Sequence, residues 1–223
     1  MTELDHPTSP LARSVLSSQV KDRMLQWILE GELAPGSRII ETRIARQLGT
    51  SQAPVREALR DLATLGLVDV HPYRGARVRQ PEPEELVEAM ELRGELEAVA
   101  ARSAARRMDE ATLSEMRELL EAMRASASRD DAHAQAMQNS AFHTCVITAS
   151  GNRTLQRLWS MLEPFARTYL TATVPGADLH WLAERHVAIL EALEARDPDG
   201  AAEAMRTHAR EAERQVLATQ EAG

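Results

Sequence analysis

The sequence predicts a mainly α chain in two parts, an N-terminal winged helix-turn-helix unit and a C-terminal antiparallel all-helical bundle. Three observations carry the prediction. Apolar residues recur at helical spacing through most of the 223 residues, the period changes to two only around residues 68–78, and the charge changes sign near residue 80. Residues 1–80 hold 11 Lys and Arg against 9 Asp and Glu, whereas residues 81–223 hold 15 against 25, so the overall charge of −8 hides a basic head on an acidic body. The basic side chains of the head cluster late, at Arg56, Arg60, Arg74, Arg77 and Arg79.

Composition narrows the function classes. No run approaches the roughly 18 apolar residues of a membrane span, and Met1-Thr-Glu-Leu-Asp-His6 lacks the basic-then-apolar order of a signal peptide, so a cytoplasmic protein with no membrane partner is expected. The single cysteine, Cys145, excludes an intrachain disulfide framework and any Cys-rich zinc module. Any metal must then rest on His with carboxylate or amide ligands. An aromatic content of 3% leaves little to stack on unpaired bases, which points a nucleic-acid partner toward duplex DNA.

In chain order, residues 1–12 contain Pro7, Thr8, Ser9 and Pro10 without periodicity and are expected to form a disordered arm before a head at 13–80. Val20, Met24, Leu25, Ile28 and Leu29 define a first helix from about Ser14 to Glu30, stopped by Gly31. Leu33-Ala-Pro-Gly-Ser37 is turn chemistry, and a short helix from Glu41 to Leu48 closes at Gly49. Thr50 or Ser51 can cap the next helix, whose Val55, Ala58, Leu59, Leu62 and Leu65 form one apolar stripe ending at Gly66. Val68-Asp-Val70 and Ala76-Arg-Val78 then alternate about His71-Pro-Tyr-Arg-Gly75, the pattern of a hairpin wing. In a helix-turn-helix unit the second helix enters the major groove by its N-terminal end, and Arg56 and Arg60 lie one turn apart on its polar side.

Pro81-Glu-Pro83 breaks the chain, and residues 81–223 are expected to form helices at about 83–107, 109–128, 131–149, 152–171, 179–196 and 198–219. Within these, polar residues occupy positions where the pattern asks for apolar ones. His208 lies on the stripe of Ala201, Ala204, Met205, Ala212 and Val216, and His186 on that of Leu182, Ile189, Leu190 and Leu193. Asn139 and His143, four apart, project from one face of the 131–149 helix. His186 and His208 are equidistant from Asp197, the start of the expected Asp197-Pro-Asp-Gly200 turn, so antiparallel packing sets them face to face. Imidazoles and an amide oxygen converging in this way suit a divalent ion such as zinc or nickel. His6, His71, His133 and His180 fall in loops, the wing or helix ends. Arg93 shares the stripe of Leu86, Ala89, Met90, Leu96 and Ala100, where it either pairs internally with an acid such as Glu97 or grips the carboxylate of a small metabolite.

These residues also carry a resemblance. The run Glu32-Leu-Ala-Pro-Gly-Ser-Arg-Ile-Ile-Glu41, with Ile44-Ala45, Leu48-Gly49, Pro54-Val-Arg-Glu-Ala-Leu-Arg60, Gly66-Leu-Val68 and Arg74-Gly-Ala-Arg-Val78, resembles the GntR family of bacterial regulators. Asn139-Ser-Ala-Phe-His143, Gly151-Asn152, His186 and His208 are similar to the FCD effector domain of its FadR subfamily. The resemblance implies a homodimeric repressor that grips a palindromic operator and binds a small carboxylate, often beside a metal. It places the metal on Asn139, His143, His186 and His208, the carboxylate on Arg93, and DNA on Thr42, Arg43, Ser51, Gln52, Ala53, Arg56, Arg60, Arg74 and Gly75. Two departures stand out. Gln52 replaces an Arg common in relatives, which favours adenine over guanine, and Asn139 replaces a common Asp, which removes a negative charge from the metal site. A metal-free acyl-CoA sensor of the same family fits the three histidines less well. A metal-dependent hydrolase lacks both His-Glu-x-x-His and an obvious general base, with Glu211 the nearest acid in sequence, so no enzyme is expected.

Overall fold

A computed structural model describes residues 10–71, 75–80, 83–172 and 178–221. The chain divides into two compact units, 1–80 and 81–223.

The first unit is built from α1 (Pro10–Leu29), β1 (Arg38–Ile39), α2 (Glu41–Gln47), α3 (Gln52–Thr64), β2 (Val68–His71) and β3 (Gly75–Val78). Val20, Met24 and Ile28 of α1 pack on Val55, Leu59 and Leu62 of α3, all nearly inaccessible to solvent. Helix α1 begins earlier than the composition suggests. Pro10 opens it, because a first-turn proline loses no helical hydrogen bond, so 10–12 are helical rather than part of an arm, while 1–9 lie outside the described residues. Gly49 and Gly66, at φ +63° and +69°, follow the C-caps Leu48 and Leu65 in the left-handed conformation that ends α2 and α3. Ser51 holds the N-cap position of α3, although its hydroxyl makes no capping bond.

The wing is three-stranded. β3 pairs antiparallel with β2, Val68 opposite Val78, and on its other edge with β1, where Arg38 lies opposite Arg77. A two-residue strand after a Pro-Gly turn is too short for any periodicity to reveal.

The second unit comprises α4 (Pro83–Arg107), α5 (Glu110–Ser128), α6 (Ala132–Ala149), α7 (Arg153–Ala172), α8 (Leu179–Glu184), α9 (Val187–Glu194) and α10 (Pro198–Glu221). Asp109, Asp131 and Asp178 cap α5, α6 and α8 by accepting backbone N–H bonds from Thr112, Ala134 and Trp181. Helices α4 and α10 lie closely together through Ala98, Ala101 and Ala105 on one and Ala201 and Ala202 on the other. Gly94 belongs to this seam. A Cβ there would sit 2.5 Å from that of Ala209, so the close approach excludes any side chain.

One expected helix is two. The 179–196 segment breaks at Arg185 and His186, giving α8 and α9. None of the described helices is long and apolar enough to cross a membrane.

Candidate functional site

Three buried histidines enter one region of the bundle from three places: His143 from α6, His186 from the α8–α9 break and His208 from α10. The ring centroids of His143 and His186 are 5.4 Å apart, those of His143 and His208 5.0 Å, and those of His186 and His208 4.5 Å. One nitrogen of each lies within 4.8 Å of one nitrogen of each of the others. Asn139 lines the same cavity, of about 60 Å³, together with Arg93, Glu97 and Arg185.

The helix break orients His186. Its amide donates to the Ala183 carbonyl, a tighter turn than the α-helical bond, and its Nδ1 stands 3.1 Å from the carbonyls of both Leu182 and Ala183. A carbonyl only accepts, so Nδ1 carries the ring proton and Nε2 presents a lone pair. That Nε2 is buried and has no hydrogen-bond partner among the described residues.

His143 is set by a carboxylate. Its Nδ1 lies 3.1 Å from Glu97 Oε2, off the line of a good hydrogen bond, and its Nε2 is likewise unpartnered. Glu97 in turn accepts on Oε1 from Arg93 Nε at 2.6 Å and from Trp159 Nε1 at 2.8 Å. On His208 the buried Nδ1 is the unpartnered nitrogen.

Electrostatics keep these rings neutral. Burial, followed by the nearby His143, pushes His186 down to about 3, and burial also lowers His143 and His208 from the ordinary 6.5. Burial is the largest single influence on the Glu97 carboxyl and would raise it, yet the Arg93 charge, the neighbouring His143 and the hydrogen bonds to both together outweigh it and hold the group well below the usual carboxylate range. The cluster is therefore neutral imidazole backed by an ionised carboxylate.

That donor set fits a divalent metal. Each unsatisfied buried polar atom costs about 1–3 kcal/mol, and a ring lone pair accepts from a cation as readily as from a proton donor. Nitrogens bound to one tetrahedral zinc lie roughly 3.3 Å apart at bonds of 2.0–2.1 Å, and one nitrogen of each ring here lies within 4.8 Å of the others. Glu97 behind His143 and the two carbonyls behind His186 are the kind of partners that fix a ligand's tautomer.

Of the two expectations for Arg93, the internal pairing is the one observed. It forms the internal ion pair with Glu97, with its side chain 9% exposed, and it also lines the cavity. Sequence reasoning missed Arg185, whose side chain is 4% exposed and whose spacing from Leu182 and Ile189 places it on their stripe. It also missed Trp159 as a second donor to Glu97, although Leu155 and Trp159 share a helical face.

In the head, Thr42, Arg43, Ser51, Gln52, Ala53, Arg56 and Arg60 are all exposed. Arg56 is tethered, with Nε donating to Glu41 at 2.6 Å and Nη2 to Gln52 at 3.1 Å. This links α2 to the first turn of α3. Pro54, in that turn, gives up no helical bond. Gly75 begins β3 at φ +84°, a conformation that favours glycine, while Arg74 lies outside the described residues.

A winged helix-turn-helix head presenting arginines from its third helix, joined to a helical domain, defines a DNA-binding transcription regulator. Residues 16–78 match the bacterial regulatory proteins of the gntR family, and residues 88–211 match the FCD domain. The chain is 39% identical over 205 residues to the "Probable D-xylose utilization operon transcriptional repressor" of Paenarthrobacter nicotinovorans, covering 92% of this chain and 90% of that one. It is 23% identical over 201 residues to the "Gluconate operon transcriptional repressor" of Bacillus subtilis (strain 168), covering 87% and 82%. Among solved structures it superposes on E. coli McbR/YncC with a TM-score of 0.79 at 27% identity, covering 92% of this chain and 98% of that one. This chain belongs to the GntR family of bacterial transcriptional regulators and carries an FCD domain.

Proposed function

We propose that this protein is a homodimeric repressor whose bundle holds a divalent ion, zinc or nickel, and binds a small carboxylate beside it. The observation that carries the reading is the set of buried, unpartnered ring nitrogens on His143, His186 and His208, converging on a cavity that Arg93 lines. Asn139 would complete the ligand set with its amide oxygen. When bound, the ion would supply a Lewis-acidic centre for a carboxylate oxygen. Glu97, 3.1 Å from His143 Nδ1, favours the proton on that nitrogen, the Leu182 and Ala183 carbonyls keep that of His186 on Nδ1, and Arg93 holds Glu97 ionised.

Repression is supported by the relatives named as repressors. In the head, Gln52, Ala53, Arg56 and Arg60 would read base edges. Ser51, Thr42 and Arg43 would hold phosphates, and Arg74 and Gly75 would approach the backbone or minor groove. The paired heads of a dimer would match a palindromic site. Effector binding changes operator affinity only through its unequal affinity for the two packings of the bundle.

The test is an anisotropy titration of the metal-loaded protein on its own upstream promoter DNA with a panel of small carboxylates. One acid is expected to weaken binding by about 5–150-fold, the usual range of allosteric coupling. No response to any acid, with Arg93→Ala behaving as wild type, contradicts the proposal.

A further inference from the structure

We propose that Arg185 is the residue that takes the ligand's carboxylate in the bundle cavity, whereas Arg93, tied to Glu97, is a positioning residue for His143. The inference rests on the metal and carboxylate reading above and deepens it by assigning the anion to a different arginine.

The two arginines of the cavity wall are unequally committed. Arg93 Nε donates to Glu97 at 2.6 Å, and Glu97 is itself 2% exposed, so that pair is closed and neutral as a unit. Arg185 is paired more loosely, with Glu211. Its Nη2 donates to a neutral peptide oxygen, that of His208, and its Nε lies 3.2 Å from Glu211 Oε2 without the alignment of a hydrogen bond. Its guanidinium also lies 4.8 Å from the centroid of the Trp181 ring. The Arg185 side chain is 4% exposed, whereas that of Glu211 is 30% exposed and does not line the cavity, so Arg185 is the wall arginine whose anion lies outside the lining.

Placement supports the assignment. Arg185 stands beside His186 at the α8–α9 break, so an acid held in its two-pronged fork would have its other oxygen next to the histidine cluster. At about 60 Å³ the cavity equals roughly two waters' share of the liquid, the scale of an ion with a carboxylate head. Taking up the acid exchanges the contacts of Arg185 with the His208 carbonyl and Glu211 for contacts with the ligand. That loosens the tie between the α8–α9 break and α10, and it moves the guanidinium relative to Trp181.

The experiment uses the full zinc-loaded chain, with acetate and succinate as probes. Calorimetry compares wild type with Arg185→Gln and Arg185→Lys, and metal content is measured on each. Arg185→Gln is expected to weaken the tighter acid by at least about 30-fold with its metal retained, and Arg185→Lys to recover part of the loss. Equal affinity in wild type and Arg185→Gln, metal intact, overturns this inference alone. No saturable binding of either acid to zinc-loaded wild type overturns both it and the reading beneath it. A second measurement does not depend on the variant folding. In wild type, the acid is expected to change the emission component lost in Trp181→Phe. Binding seen by calorimetry without that change also overturns the assignment.

Discussion

The head and the bundle use arginine in opposite ways. In the head, Arg56 and Arg60 are exposed on α3, and neither belongs to its apolar core. In the bundle, Arg93 and Arg185 have side chains 9% and 4% exposed and are part of the interior they serve. The difference teaches where function and stability separate. A recognition helix can lose its reading side chains and remain folded, because those chains are hydrated in the free protein. A buried polar cluster loses stability with each such change, because members such as Arg93, Glu97 and Trp159 satisfy or neutralise one another. The bundle should therefore be the part in which functional substitutions also cost stability.

The strongest way to break that contrast is Glu97→Ala. It leaves Arg93 buried without its anion and removes the acceptor of Trp159 Nε1, and is expected to cost about 3–5 kcal/mol in urea unfolding. A loss below about 1 kcal/mol would mean that the pair is not a structural unit.

Acid should separate the two regions next. The unfolded chain protonates its histidines near 6.5, whereas burial depresses His143, His186 and His208 in the folded bundle, His186 to about 3. Unfolding then takes up protons, so the stability of the metal-stripped protein is full above 6.5 and falls as the pH drops toward 3. Each ring contributes a slope of up to about 1.4 kcal/mol per pH unit. Glu97, depressed below its ordinary 4.5, adds a loss of the same sign below that value. Urea titrations from pH 7.5 to 5 check the slope, and a flat profile would argue against neutral buried rings.

Arg56→Ala sharpens the head's side of the comparison. It is expected to weaken operator binding by about 1–3 kcal/mol while leaving the unfolding midpoint within about 0.5 kcal/mol of wild type. Anisotropy and thermal melts on one preparation read both.

Much of this contrast was legible in the chain itself. The buried histidines are legible because an imidazole among alanines and leucines at helical spacing points inward with them, and the equidistance of His186 and His208 from Asp197 anticipates their adjacent rings. The α8–α9 break was not legible. Nothing in Leu182-Ala-Glu-Arg-His-Val187 is a helix breaker, and the break is held by the ring of His186 bonding back to the Leu182 and Ala183 carbonyls, an effect of tertiary placement. Arg185 was overlooked for a related reason. Its spacing sets it on the stripe of Leu182 and Ile189, yet an arginine there reads as a long side chain reaching solvent, and only the structure shows it buried. The strand β1 escaped because two residues carry no period.

The central claim is that His143, His186 and His208 hold a divalent ion, and metal analysis tests it most directly. Protein purified without a polyhistidine tag or added metal should carry about one equivalent of zinc or nickel per chain by mass spectrometry, and His186→Ala should carry little while remaining folded by circular dichroism. Wild-type protein that is metal-free, and that takes up no zinc or nickel when dialysed against either, would contradict the claim.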